Sequence, residues 1–394
     1  MTSGAEPAAY PDFPTLPPPA SACPDFPALP PPVDHRRRRD RLRARLAERE
    51  LEALYVTDLR NVRWLTGFRG TNGRVLVTCD GELDVLFTDS RYTTQAHAEA
   101  PGLDLVTLRS GVPDRIVRRL SRAGLATVGF EADHLSWDAG ESLRGKAREE
   151  GIDARPASGQ VEALRAVKDE HELAAIRAAC AITVATFEHV LGSLRPGANE
   201  RAVAVALDRC MVDLGAESPA FDTIVASGPN SAIPHHRPTT RELRPGDLLK
   251  LDFGARYGGY HADMSRTVAL GDPGPELRAV YDLVRCAQAA GVAATLAGVA
   301  VGEVDRACRE PIAAAGRGKQ FLHPTGHGVG LAIHEWPTLA EGGRANLEPG
   351  MTVTVEPGVY LAGVGGVRIE DTVVVTVTGP PDILTSSSHD LVVL

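Results

Sequence analysis

Acids and histidines that recur in three short segments are the residues of this chain best suited to chemistry. The stretch HPTGHGVGLAIHE, residues 323–335, holds His323, His327 and His334. A spacing of four would place His323 and His327 on one helical face. Pro324, Gly326, Gly328 and Gly330 lie among them, and that many breakers argue against a helix. Burying an imidazole is costly unless its nitrogens are paired. A cluster of three therefore asks for acids or a cation nearby.

Two hairpin patterns supply the acids. In DLLKLDFGARYGGYHADMSRTVAL (247–270), LLKLDFG and YHADMSRTV read as strands joined by a tight turn at RYGG. With Tyr257 and Gly258 as the turn centre, Asp252 faces Asp263 across the pair, their Cβ atoms about 5 Å apart. Asp252 interrupts an apolar strand and is expected to be buried. A buried carboxylate pair requires a shared proton or a cation. The pattern returns in MTVTVEPGVYL (351–361) and GVRIEDTVVVT (366–376), where a loop centred near Gly363 sets Glu356 opposite Glu370. Pro357 ends or bulges its strand there. Four carboxylates and one imidazole balance two divalent cations. Oxygen-rich donors favour Mn²⁺ over a thiolate-bound structural zinc, with Co²⁺ or Zn²⁺ as alternatives. Such a pair of ions acidifies water, polarises a carbonyl and stabilises an oxyanion.

The remaining chain must position these groups. Its 394 residues allow two domains and a large core. A net charge of −9 gives no support for nucleic acid or an anionic membrane as partner. The six cysteines form neither a zinc-knuckle nor a disulfide pattern, which suits reduced thiols in a cytoplasmic protein. No apolar leader opens the chain, and the weakly polar run 289–302 is too short to span a bilayer. Residues 1–34 repeat a PDFP-x-LPPP strip and read as a disordered, polyproline-like tail. HRRRRDRLRAR (35–45) reads as a solvated helix face rather than a nucleic-acid patch. Alternating helices and strands then indicate an α/β domain over 35–158, with Ser136 capping a helix. Residues 159–394 pass twice through helices followed by strands, the mark of a duplicated α+β domain.

Placed together, D-F-G at Asp252, H-A-D-M-S-R-T at Asp263, H-P-T-G-H-G-V-G-L at His327, V-E-P-G at Glu356 and R-I-E-D at Glu370 resemble the pita-bread metallopeptidases. That family includes aminopeptidase P, prolidase, methionine aminopeptidase and the non-metal creatinase. The resemblance covers most of 35–394 and implies an α/β N-terminal domain followed by an α+β pita-bread catalytic domain. It implies that Asp263 and Glu370 bind both ions, that Asp252 completes one shell, and that His327 and Glu356 complete the other. Glu356 is then the general base. SGPNSAIPHH (227–236) matches the aminopeptidase P and prolidase branch, with His235 as the matching histidine and His236 an exposed neighbour. By the same resemblance His323 and His334 hold substrate and stabilise the tetrahedral intermediate, and Arg368 and Tyr360 orient the groups around the ions. The retention of all five ligands disfavours a non-catalytic peptide-binding protein of the same fold.

The branch acts on Xaa-Pro bonds, which ordinary peptidases handle poorly because proline lacks an N–H and restrains its neighbour. The resemblance also implies a homodimer. Many prolidases carry H-E-x-P-R after the last active-site histidine, whereas this chain reads His334-Glu335-Trp336-Pro337-Thr338. A guanidinium is the usual partner of a substrate carboxylate. Its absence at Thr338 favours an Xaa-Pro aminopeptidase over an Xaa-Pro dipeptidase.

Overall fold

The computed structural model describes residues 33–394. The Pro-rich strip therefore lies outside the described residues. Two compact units follow, one ending at Arg165 and the other spanning Ala166–Leu394.

The first unit comprises α1 (His35–Glu48), β1 (Ala53–Val56), α2 (Leu59–Thr66), β2 (Gly73–Thr78), β3 (Val85–Thr88), α3 (Thr93–Glu99), β4 (Asp104–Thr107), α4 (Val112–Arg122), β5 (Thr127–Phe130), α5 (Trp137–Glu149), β6 (Asp153–Pro156) and α6 (Gln160–Ala166). One mixed sheet runs β4-β3-β2-β1-β5-β6. Apolar side chains from β1, β2, β3 and β5 pack against Ile116, Leu120, Leu143 and Ala147 of α4 and α5. The Ser136 hydroxyl accepts from the Ala139 N–H and caps α5, satisfying one of its free amides. The first compact unit runs on to Arg165, through all but the last residue of α6. Hydrogen bonding ties α6 to α2, where Arg165 Nη1 donates to Asn61 Oδ1 at 2.7 Å.

One expectation for α1 fails. Arg38 and Arg39 are buried, not solvated. The Arg38 guanidinium stacks 4.8 Å from the Trp64 ring centroid. Arg39 donates to the Leu65 carbonyl at 2.9 Å and to Asp84 at 3.1 Å. Arginine stems tolerate burial once the head group is paired, and here α2 and Asp84 supply the partners.

The second unit opens with α7 (Glu170–Leu191) and α8 (Glu200–Asp213), followed by β7 (Ser218–Pro219), β8 (Ile224–Ser227), β9 (Leu248–Phe253), β10 (Ala255–Tyr257), β11 (Tyr260–His261) and β12 (Met264–Ala269). Then α9 (Pro275–Ala294) and α10 (Val301–Ala314) lead to β13 (Gly326–Gly328), β14 (Glu335–Leu339), β15 (Thr352–Val355), β16 (Gly358–Leu361), β17 (Gly365–Arg368), β18 (Asp371–Val374) and β19 (Asp382–Ile383). Two rounds of helix pair and antiparallel strands result. Asp169 and Glu172 close a capping box at the start of α7. By length and composition α7 is apolar enough to cross a membrane. Its Ile182, Phe187 and Val190 instead build the core with α8, β8 and β9. A second core joins α9 and α10 to Val353, Val355, Val359, Val367, Ile369 and Val373.

The first hairpin differs from its expected register. Tyr257 pairs with Tyr260 and Arg256 with His261, so the turn centre is Gly258-Gly259. Both glycines have positive φ, 57° and 81°, as a two-residue hairpin turn requires. Asp252 consequently faces Ser265, not Asp263. A shift of two residues leaves every side chain on its original face, so both aspartates still project to the same side. The second hairpin keeps its expected register. Val355 pairs with Asp371 and Gly358 with Arg368, which brackets Glu356 opposite Glu370. The ladder breaks between those pairs, where Pro357 removes a donor.

Candidate metal centre

Strands β9, β12 and β15 to β18 are buried on both faces, and residue parity separates the two. In β15 to β18 the odd positions feed the core, among them Val353, Val355, Val367, Ile369 and Val373. The even positions Thr354, Glu356, Arg368 and Glu370 take the other face. In β9, Leu249, Leu251 and Phe253 are core, while Lys250 and Asp252 alternate with them. These strands thus hold an apolar core on one side and a polar site on the other.

The site is a cleft of about 540 Å³ lined by Asp252, Asp263, His327, Glu356 and Glu370, together with His235, His323, His334 and Arg368. All the expected acids and histidines therefore meet in one place. Donor atoms of Asp263, His327 and Glu370 lie within 4.8 Å of one another. His327 Nε2 stands 3.5 Å from Asp263 and 3.4 Å from Glu356. Tyr360 is buried and does not line the cleft, but its hydroxyl contacts His323 and Arg368, which do.

His327 sits in β13, a strand rather than a loop. That strand inserts between β14 and β15. A side chain at Gly326 would overlap the Thr354 carbonyl, so only glycine admits this approach. The His327 Nδ1 lies 2.9 Å from the Gly328 carbonyl. A carbonyl can only accept, so Nδ1 carries the proton and the Nε2 lone pair faces the acids. The same logic orders a chain of donors beside it. His323 Nδ1 donates to Pro324 O at 2.8 Å, Tyr360 donates to His323 Nε2 at 2.8 Å, and Arg368 Nη1 donates to Tyr360 at 3.1 Å. Burial and the Arg368 charge push the His323 pKa down to about 3, so this imidazole is neutral.

The acids carry the signature of a site built around positive charge. Burial raises the Asp263 pKa well above its usual value, and the charges of Asp252 and Glu356 raise it further. Burial does the same to Glu370, with Asp263 adding to it. Glu356 rises to about 7 through burial, against the pull of Arg368. Burying an unpaired carboxylate costs on the order of several kcal/mol. Arg368 offsets part of this through its ion pair with Asp252. Yet Asp252 Oδ1 and Glu370 Oε1 are buried with no hydrogen-bond partner. Two orphaned carboxylate oxygens, with an imidazole lone pair fixed toward Asp263 and Glu356 in the same cleft, form the donor set of a divalent cation site.

Correction is needed at the adjacent histidines. His235 is exposed at the cleft, whereas His236 is buried and not the exposed neighbour expected. Its Nε2 donates to Glu200 at 2.8 Å. Glu200, buried in α8, also accepts from Ser227, Asn230 and Thr239. A single PHH string gives no signal for which imidazole turns inward; the acid that decides it lies 36 residues away.

Several supporting residues were not anticipated. Ser265 Oγ donates to Glu370 Oε2 at 2.8 Å and accepts from Arg368 Nε at 2.8 Å. Thr354 donates to Glu356 and accepts from the His327 N–H. Lys250 holds the carbonyls of Ile233 and Pro234. Each lies two residues from an acid in, or next to the end of, its strand: 250 and 252, 263 and 265, 354 and 356. The period of a strand could have located all three.

Residues 174–377 match the model of metallopeptidase family M24, and residues 38–167 match the creatinase/prolidase N-terminal domain. The chain belongs to metallopeptidase family M24. It is 38% identical to peptidase YqhT of Bacillus subtilis, over 90% of this chain and 99% of that protein. Among solved structures, an Xaa-Pro dipeptidase from Bacillus anthracis matches with a TM-score of 0.86 and 38% identity, covering 92% of this chain and all of the other. An X-Pro aminopeptidase from Thermotoga maritima matches with a TM-score of 0.79 and 32% identity, covering 88% of this chain and 99% of the other. The M24 chain thus carries the expected α/β N-terminal domain and α+β pita-bread catalytic domain. As an M24 enzyme it is a peptidase dependent on divalent metal.

Proposed function

We propose that this M24 enzyme hydrolyses the Xaa-Pro bond of short peptides with two divalent ions, Mn²⁺ foremost. Asp263 and Glu370 would hold both ions, with Asp252 serving one of them and His327 and Glu356 the other. The observation that carries this reading is the pair of orphaned oxygens, Asp252 Oδ1 and Glu370 Oε1, beside the His327 lone pair. When bound, the ions acidify water and polarise the scissile carbonyl. Ser265 and Thr354 fix the orientation of Glu370 and Glu356, so neither carboxylate has to reorganise during turnover. Glu356 serves as general base at Oε2, the oxygen that Thr354 leaves open. His235 and His334 are exposed at the cleft and donate to substrate carbonyls. His323 acts through Tyr360, and Arg368 keeps both in place.

The matched relatives bear both dipeptidase and aminopeptidase names. The dipeptidase reading stood second on sequence, because Thr338 replaces the usual arginine. The enzyme is further proposed to act as a cytoplasmic homodimer, which sedimentation of the purified chain would test. The main test is chelation. Treatment with a chelator should abolish hydrolysis of Ala-Pro, and Mn²⁺ should restore it with about two ions per chain by elemental analysis. Full activity of metal-free enzyme would overturn the reading.

A further inference from the structure

The segment after Ile233 is pinned at both ends. On one side the buried Lys250 Nζ donates to the Ile233 carbonyl at 2.7 Å and to the Pro234 carbonyl at 3.2 Å. Arg368 Nη1 adds a third bond, to Pro234 O at 3.3 Å. On the other side the buried Glu200 carboxylate takes His236 Nε2 at 2.8 Å, and the Thr239 N–H and hydroxyl at 3.0 and 2.7 Å. Between the pins, exposure alternates: His235 is exposed, His236 buried and Arg237 exposed. His235 and Arg237 both line the cleft that holds Asp252, Asp263, Glu356 and Glu370.

Arg237 makes no hydrogen bond or ion pair among the described residues. The other guanidinium lining the cleft is Arg368, which is committed to Asp252, Ser265 and Tyr360. A peptide whose second residue is its last brings a free carboxylate into this cleft. Five acids already line it, Asp222 as well as the four at its centre, so the carboxylate needs a cation of its own. Thr338, which lines the same cleft, offers one hydroxyl and no charge. We propose that Arg237 binds the C-terminal carboxylate of the substrate and makes the enzyme selective for Xaa-Pro dipeptides. The assignment rests on the Xaa-Pro reading above and supplies the carboxylate partner that Thr338 lacks. A guanidinium matches a carboxylate with two parallel bonds. Pinning the backbone on both sides lowers the entropy lost when that contact forms.

The experiment compares Ala-Pro with Ala-prolinamide, which differ in the terminal charge. Both kcat and KM are measured for metal-loaded wild type, Arg237→Ala and Arg237→Lys. Wild type should prefer Ala-Pro, with the preference carried in KM. Arg237→Ala should lower the ratio of kcat/KM for Ala-Pro over the amide by roughly ten- to a hundredfold. Arg237→Lys should recover part of the ratio, since it keeps the charge and loses the fork. A merely structural role would weaken both peptides alike and leave the ratio unchanged. An unchanged ratio in Arg237→Ala, with wild type turning over Ala-Pro, overturns this assignment alone. Turnover of neither peptide by metal-loaded wild type overturns the Xaa-Pro reading and this assignment with it.

Discussion

His235 and His236 are neighbours in sequence with opposite environments, and they separate activity from stability. His235 faces the cleft and makes no hydrogen bond or ion pair among the described residues. His235→Ala is expected to lower kcat/KM by at least about a hundredfold, a loss typical of a group acting in the transition state, with thermal stability unchanged. His236→Ala removes a donor from the buried Glu200 carboxylate. It should cost about 2 kcal/mol of stability, measured by denaturant unfolding. Equal effects of the two variants on stability would contradict the placement of His236. At the acids, Asp263→Asn and Glu370→Gln should each cut turnover by at least three orders of magnitude, roughly 4 kcal/mol of transition-state stabilisation. Both variants should also lose the rise in melting temperature that Mn²⁺ gives to wild type. A variant that keeps its Mn²⁺ shift would show that the substituted carboxylate is not a ligand.

At the scale of elements, a strand with period two delivers an acid of the cleft and its supporting hydroxyl or cation from one backbone. β13 extends this economy, because it brings His327 into the sheet only where Gly326 lets it approach β15. Gly326→Ala should separate the two strands, costing about 3 kcal/mol as overpacking does. Metal affinity, read by titration with Mn²⁺, should fall with it. The α8 residue Glu200 governs the neighbouring loop. Burial alone would raise its pKa, but donors from Asn230, His236, Thr239 and Ser227 more than offset this and hold it at about 2. A folded-state pKa below the unfolded value gives stability that is full above about 4.5 and lost as pH falls toward 2. The acid-labile part is on the order of 3 kcal/mol. Glu200→Gln should be less stable at neutral pH and should show a shallower decline across that window. A wild-type slope preserved in the variant would place the titrating group elsewhere.

For the whole molecule, the described fold begins where the Asp34 side chain caps α1 through the Arg37 N–H. Deleting residues 1–32 should leave both turnover and melting temperature within error of the full chain. A loss of either would mean that the repeated PDFP-x-LPPP strip contributes to the enzyme. Two cores serve the catalytic unit, one built on α7 and α8 and the other on α9 and α10. Each packs one face of its strands and leaves the opposite face for the site. The site therefore needs both rounds of the duplication: Asp252 and Asp263 come from the first, and His327, Glu356 and Glu370 from the second.

The amino-acid sequence by itself determined the order of elements, the alternation of apolar and polar positions and the identity of the acids. Those properties are local, set by strand period, turn glycines and helix caps. It also yielded the register of the second hairpin from the loop centre at Gly363, even though Pro357 interrupts that strand. The first hairpin slipped by two residues because RYGG admits two turn centres, and only the positive φ of both glycines selects one. Parity protected the functional conclusion, since a slip of two keeps each side chain on its face. Tertiary structure alone decided which of two adjacent histidines turns inward, why Arg38 and Arg39 are buried, and which cleft arginine has no partner among the described residues. Those outcomes depend on Glu200, Trp64, Asp84 and Asp252, which contact their partners across 26 to 116 residues of chain. Contacts at that separation leave no periodic trace in a single sequence.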